Sequence, residues 1–237
     1  MRVLVFGKTG QVARALQRFD GVTALPRAEV DLSDPTACAA IIAGTDADVI
    51  INAAAYTGVD TAETDSYMAF RVNSEAPTAM ATAAAKRALP FLHVSTDYVF
   101  DGSGAQPWRE NDPTGPLGVY GASKLAGEQG VRAAGGPLAI LRTSWVVSAH
   151  GNNFVRTMLR LGAEREALTI VADQIGGPTC ARDIAAALMG MAEQLQSDPS
   201  KSGTYHFAGA PDVSWADFAR EIFAQSGIIC DVTDIPS

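Results

Sequence analysis

A tyrosine and a lysine stand four residues apart in Val119-Tyr120-Gly121-Ala122-Ser123-Lys124. In a helix that spacing puts both side chains on one face. A phenol with a pKa near ~10 is a poor proton carrier at neutral pH unless a neighbouring cation favours the phenolate, and the Lys124 ammonium is such a cation. A pattern this short is more often an exposed tyrosine beside a solvated lysine. The elements that would position the pair therefore carry the argument.

Arg2 to Phe6 is a short β-rich run. It leads into Gly7-Lys8-Thr9-Gly10-Gln11-Val12-Ala13 and an amphipathic segment through Phe19. Strand, glycine turn and helix in that order let a backbone approach a pyrophosphate at a helix N-terminus. Gly7, Thr9, Gly10, Gln11 and Val12 are thus a candidate dinucleotide seat, with an ordinary βα turn as the other reading. The spacing is Gly-x-x-Gly-x-x-Ala, with Ala13 where a small residue permits tight helix packing.

Val22 to Leu25 is a second strand. Arg27 follows it, where a dinucleotide fold holds a ribose 2′-phosphate, which leans towards NADP. Asp31, with Leu32 beside it, precedes a helix start at Ser33-Asp34-Pro35. It either reaches an adenine amine or is a solvated turn carboxylate. A third strand over 48–52 runs into Ala53-Ala54-Ala55, whose small side chains let a cofactor lie across the strand ends or let a helix pack closely. The alanine-rich helix from Ser66 to Arg87 is broken near Asn73-Ser74, with Pro77 opening its second part. Asn73 either satisfies freed backbone groups and steadies the lysine, or caps the helix.

Phe91 to Ser95 is the fourth strand, followed by Thr96-Asp97-Tyr98. Ligands of open parallel sheets bind beyond the carboxyl ends of strands, so these three polar residues are substrate-side candidates. Leu138 to Arg142 is a further strand leading to Thr143-Ser144-Trp145. Alternating strands and helices predict an α/β, Rossmann-like doubly wound parallel sheet. The expected division is a dinucleotide-binding domain over 1–145, rejoined by a helix at 180–197, and a smaller α/β substrate lobe over 146–237. Gly203 to Ala208 reads as a strand of that lobe and Ser214 to Gln225 as a capped helix.

The 237 residues carry a net charge of -8 and a pI of about 4.8, which gives a phosphate backbone no general attraction and argues against nucleic acid as a partner. With 47% hydrophobic and 19% charged residues the balance is globular. No apolar stretch approaches the ~20 residues needed to cross a bilayer. Cys38, Cys180 and Cys230 are scattered and suggest a reducing, cytoplasmic setting. His93, His150 and His206 have no partner at metal-ligand spacing, so no metal site is expected.

Taken together, the chain resembles the extended short-chain dehydrogenase/reductases. The resemblance spans essentially the whole chain. It rests on Gly7–Val12, Asn52-Ala-Ala-Ala-Tyr-Thr-Gly-Val-Asp60, Ser95-Thr-Asp-Tyr-Val-Phe-Asp-Gly102, Tyr120-Gly-Ala-Ser-Lys124, Leu141-Arg-Thr-Ser-Trp145, Gly151-Asn-Asn-Phe154 and Asp173-Gln-Ile-Gly-Gly-Pro-Thr179.

It implies reduction of the C4 ketone of a nucleotide-linked keto-sugar by NADPH, with NADH as an alternative donor. Tyr120 would donate the proton, Lys124 would lower the phenol pKa and hold the cofactor ribose, and the Thr96 hydroxyl would bond the carbonyl oxygen. Asp97 and Tyr98 would face the substrate and Trp145 would cover it. Some members form homodimers, and the resemblance extends that expectation to this chain. Family members usually carry glycine at Ala13 and lysine at Thr61, and they continue for several dozen residues beyond Ser237, so the chain is either a shortened form or lacks its remainder. A nucleotide-sugar epimerase or dehydratase of the same superfamily is the neighbouring enzyme class. A dinucleotide-binding regulatory subunit, like the β-subunit of methionine adenosyltransferase, is the non-enzyme alternative.

Overall fold

The computed structural model describes all 237 residues. Five short apolar segments form parallel strands: β1 (Val3–Phe6), β2 (Val22–Leu25), β3 (Val49–Asn52), β4 (Phe91–Thr96) and β5 (Leu138–Thr143). Except for the edge strand β2, they are almost entirely buried, as expected when helices cover both faces of a sheet. Alternate residues feed two cores. Val3, Val5, Val49, Ile51, Leu92, Ala139 and Leu141 point to one face, and Leu4, Phe6, Ile50, Phe91, Leu138 and Ile140 to the other.

The first face is covered by α1 (Gln11–Leu16) and by α8 (Ala181–Ser197) from far along the chain. The second is covered by α2 (Pro35–Gly44), α5 (Ala76–Lys86) and α6 (Val119–Ala134). Asp34 caps α2 by accepting from the Ala37 N–H at 3.0 Å, with Pro35 at the first helical position. Between β3 and α5 lie α3 (Val59–Thr64), α4 (Ser66–Phe70) and a π-helical turn over Arg71–Glu75. The break expected near Asn73 is therefore that π turn, a feature frequent at functional sites.

With a sixth strand, β10 (Gly203–Phe207), the sheet order is β10-β5-β4-β3-β1-β2. From β1 the chain passes to β2 on one side and to β3 on the other, which places the topological switch between β1 and β3. This sixth strand corrects one expectation. It was expected in the smaller lobe, yet it pairs in parallel with β5 at the edge of the central sheet. Helix α8 returns the chain across the first face, and the free edge of β5 then takes β10.

The remaining elements include a small cluster with a core of its own. They are β6 (Val146–Val147), α7 (Phe154–Glu164), β7 (Ala167–Val171), β8 (Ile175–Gly176), β9 (Thr179–Cys180), β11 (Val213–Ser214), α9 (Trp215–Ser226) and β12 (Asp231–Ile235). β12 runs parallel to β7, and Met158, Leu168, Ala219, Ile222 and Phe223 make its core. Ser214 caps α9 by accepting from the Asp217 N–H at 2.9 Å while donating its hydroxyl to the Asp217 carboxylate at 2.7 Å. No helix is long and apolar enough to cross a membrane.

Candidate active site

The singled-out residues collect at the carboxyl ends of the parallel strands: Arg27 after β2, Gly7 to Gly10 after β1, Ala53 to Ala55 after β3, Thr96 to Tyr98 after β4 and Trp145 after β5. Gly7 has φ +103, and a β-carbon there would stand 3.2 Å from the Ala54 methyl. This tight seam lies at the switch point. Thr9 and Gly10 are exposed above it, and Val12 is buried beneath. Bare backbone at Gly7 and Gly10 and small side chains at Ala53 to Ala55 are what a dinucleotide pyrophosphate needs, so the residues present fit that group.

Gln11 has a different occupation. Its amide donates to the Val146 carbonyl at 3.2 Å, and its oxygen accepts from the Ser148 hydroxyl at 2.9 Å and the Asn153 amide at 3.0 Å. It thus ties the glycine turn to the start of the smaller lobe. Arg27 and Asp31, assigned separate tasks from sequence, form one exposed ion pair at 2.9 Å. The Asp31 carboxyl is held below its usual range first by the Ser33 backbone N–H and then by Arg27. Leu32 is buried in the second core.

At the far side of the switch point, Thr96 donates its hydroxyl to Asp97 at 3.0 Å and accepts from the Tyr98 N–H at 3.2 Å. Burial raises the Asp97 carboxyl above its usual range, against the Thr96 bond. Tyr98, 51% exposed, meets the Tyr120 ring edge-on with centroids 5.4 Å apart. A β-carbon at Gly121 would collide with the Tyr98 carbonyl, so the absence of a side chain lets α6 press against this loop and brings Tyr120 to it.

Tyr120 and Lys124 share a face of α6, but they do not act on each other as expected from sequence. Burial pushes the phenol up to about 12, with the Thr96 hydroxyl pulling it down, and Lys124 has no part in that balance. The Lys124 ammonium is buried and turned into the sheet, donating to the Val94 carbonyl at 2.7 Å with His93 Nε2 at 3.3 Å. Desolvation lowers it to about 8, against the Glu128 charge. Asn73 does not touch the lysine. Its oxygen accepts from the Tyr56 N–H at 2.8 Å, and its amide donates to the Tyr56 carbonyl at 2.9 Å and the Ser123 hydroxyl at 3.0 Å, so it fastens α6 to the loop after β3.

Trp145 has φ +49, a left-handed backbone that is costly for a residue with a side chain. Its indole lies over Gly176 and stacks on Trp215. Thr61 accepts from the Tyr56 hydroxyl at 3.1 Å and donates to the Gly58 carbonyl at 3.2 Å.

Sequence reasoning missed three groups. His93 and Asn52 are fully buried beneath Lys124, and their only signal is a polar residue within β4 and another at the end of β3. Glu128, four residues beyond Lys124, is fully buried and accepts from Ser95 at 2.6 Å, Arg142 at 2.9 and 2.7 Å and Arg132 at 2.7 Å. Trp215 was read only as part of a helix cap.

A switch-point glycine turn, with threonine, tyrosine and lysine beyond β4, defines the class as a Rossmann-like short-chain dehydrogenase/reductase fold. The chain belongs to the family described as RmlD substrate binding domain, whose model matches residues 1–235. It is 47% identical over 233 residues to a dTDP-4-dehydrorhamnose reductase of Burkholderia thailandensis, covering 95% of this chain and 78% of that one. It is 46% identical over 230 residues to the enzyme of that name from Sinorhizobium fredii, covering 94% and 78%. Among solved structures, a dTDP-4-dehydrorhamnose reductase of Bacillus anthracis in complex with NADP superposes with a TM-score of 0.91 at 33% identity, over 100% of this chain and 84% of that one.

Proposed function

We propose that this chain reduces the C4 ketone of dTDP-4-dehydro-L-rhamnose to dTDP-L-rhamnose with NADPH. The observation that carries the reading is the convergence of Thr96, Tyr98 and Tyr120 beyond β4, next to the Gly7–Ala54 seam. The cofactor supplies the hydride. The chain's own residues place the ketone and supply the proton.

Thr96 and Tyr120 face the same spot, so a carbonyl oxygen there accepts from both hydroxyls. Thr96 must then turn its proton from Asp97 to the substrate. As negative charge grows on the oxygen, Tyr120 passes its phenolic proton across. The resting phenol is held well protonated, as a proton donor requires. Lys124, buried on the same helix face, is committed beneath the site to the Val94 carbonyl and His93. Trp145 and Tyr98 offer flat faces to the sugar or the base. Arg27 would contact the adenosine 2′-phosphate once Asp31 lets it go, the feature that favours NADPH.

The same proposal sets the reaction in the cytoplasm, in keeping with three free cysteines. The test is incubation of the purified chain with NADPH and dTDP-4-dehydro-L-rhamnose, with NMR identification of the product. Appearance of dTDP-L-rhamnose supports the reading. Interconversion of sugar epimers without net NADPH consumption would replace it with an epimerase.

A further inference from the structure

Both ring nitrogens of His93 face a nitrogen that carries hydrogens. Asn52 Nδ2 is 3.2 Å from Nδ1, and Lys124 Nζ is 3.3 Å from Nε2. A neutral imidazole has one donor and one acceptor nitrogen. His93 is held neutral because burial, then the Lys124 charge, drives its pKa well below the usual value. The Asn52 amide is oriented independently of the ring, because its oxygen accepts from the Ala54 N–H at 3.2 Å.

The observed Asn52 orientation, with its oxygen on the Ala54 N–H, selects one arrangement, and a charged Lys124 selects the other. With Lys124 neutral, Nδ1 accepts from Asn52 and the Nε2–H donates to the amine lone pair. With Lys124 charged there is no lone pair, so Nε2 accepts and the proton moves to Nδ1. Asn52 must then turn its oxygen to the ring and release the Ala54 N–H. We propose that His93 is a positioning residue whose tautomer reverses with the charge on Lys124, linking the buried lysine through Asn52 to the Ala54 backbone at the cofactor seam.

The elements packed around the site leave this link intact. Facing Lys124 are the Val94 carbonyl and His93 from β4 and, on its own helix, Glu128. Glu128 is committed to Ser95, Arg132 and Arg142. His93 otherwise stacks on Phe91, with planes 9° apart. Because Ala54 packs against Gly7, a change of charge at Lys124 reaches the turn that would hold the pyrophosphate. The lysine's lowered pKa, about 8, puts that change near working pH.

The test is long-range ¹H–¹⁵N NMR of the His93 ring in the full-length, cofactor-free chain at about pH 6.5, where Lys124 is charged. Wild type should show the Nδ1–H tautomer, and Lys124→Met, which leaves Asn52 free to donate, the Nε2–H tautomer. The same tautomer in both proteins, or a doubly protonated ring, overturns the proposal. A second arm rests on the reductase reading. His93→Phe keeps the stacked shape but removes one acceptor of the ammonium and leaves it only the Val94 carbonyl, so the alkaline limb of kcat/KM should move down by about one pH unit. A limb that does not move argues against the link. Absence of any wild-type turnover would strike the reductase reading alone, since the NMR comparison needs no activity.

Discussion

The indole of Trp145 lies flat on that of Trp215, with ring centroids 3.4 Å apart and planes 13° from parallel. The first follows the end of β5 and the second opens α9, so the stack joins the central sheet to the smaller lobe. Phe154 and Phe218 extend it. It also supports Trp145 in a left-handed backbone that would otherwise relax.

Trp215→Ala should therefore act on sugar-nucleotide binding more than on cofactor binding. Loss of the stack predicts a rise of roughly three- to tenfold in KM for the sugar nucleotide, with the NADPH Kd little changed. Steady-state kinetics beside a fluorescence titration of NADPH separates the two. Equal effects on both ligands would show that the stack serves general stability instead.

The buried carboxylate of Glu128 makes a sharper stability prediction. It is fully buried and two-pronged with Arg142, which is also buried and lies over the Phe100 ring at 5.0 Å. Glu128→Leu leaves Arg142 as an uncompensated buried charge, at a cost of about 3–5 kcal/mol. Urea unfolding at neutral pH measures this. Arg27→Ala, which breaks only an exposed pair, should cost less than about 1 kcal/mol.

Cofactor preference turns on that same arginine. Arg27→Ala should weaken NADPH by about tenfold or more and leave NADH nearly unchanged, because only NADPH carries the 2′-phosphate. Paired titrations decide it. Equal weakening of the two would remove Arg27 from the argument.

Lys124 couples stability to pH with a definite sign. Its pKa falls from 10.5 to about 8 on folding, so between those values the unfolded chain binds more protons than the native one. The stability it contributes is present above about pH 10.5 and lost as pH falls through about 8. Lys124→Met should accordingly be more stable than wild type at pH 7, by up to about 3 kcal/mol. That advantage should shrink as pH rises towards 10. Denaturant unfolding of both proteins across this range gives the difference directly, and an advantage independent of pH would contradict it.

Much of the fold was legible because its strands are short, apolar and bounded by glycine or proline. The order strand, glycine turn and helix from Arg2 onward placed the switch-point loop. Tyr120 and Lys124 fell on one helix face because spacing alone dictates that. What spacing could not give was where the lysine head points, since that depends on Val94 and His93, some thirty residues away in sequence and one strand beneath. The pairing of Arg27 with Asp31 was hidden for a different reason. Arg27 was assigned to a ligand and Asp31 to a ligand or a solvated turn, and nothing in the sequence says that a loop brings the two within 2.9 Å. β10 was misplaced because strand patterning reports a buried face and not which sheet owns it.

The central claim is that Tyr120 gives a proton to a sugar ketone while NADPH is consumed. Its most direct test is substrate-dependent NADPH oxidation with dTDP-4-dehydro-L-rhamnose by wild type and Tyr120→Phe, with NADPH binding measured on both. Wild type should turn over, and the phenylalanine variant should bind NADPH as before while losing about a thousandfold or more in kcat. Wild type that binds NADPH yet oxidises none in the presence of that substrate would contradict the account.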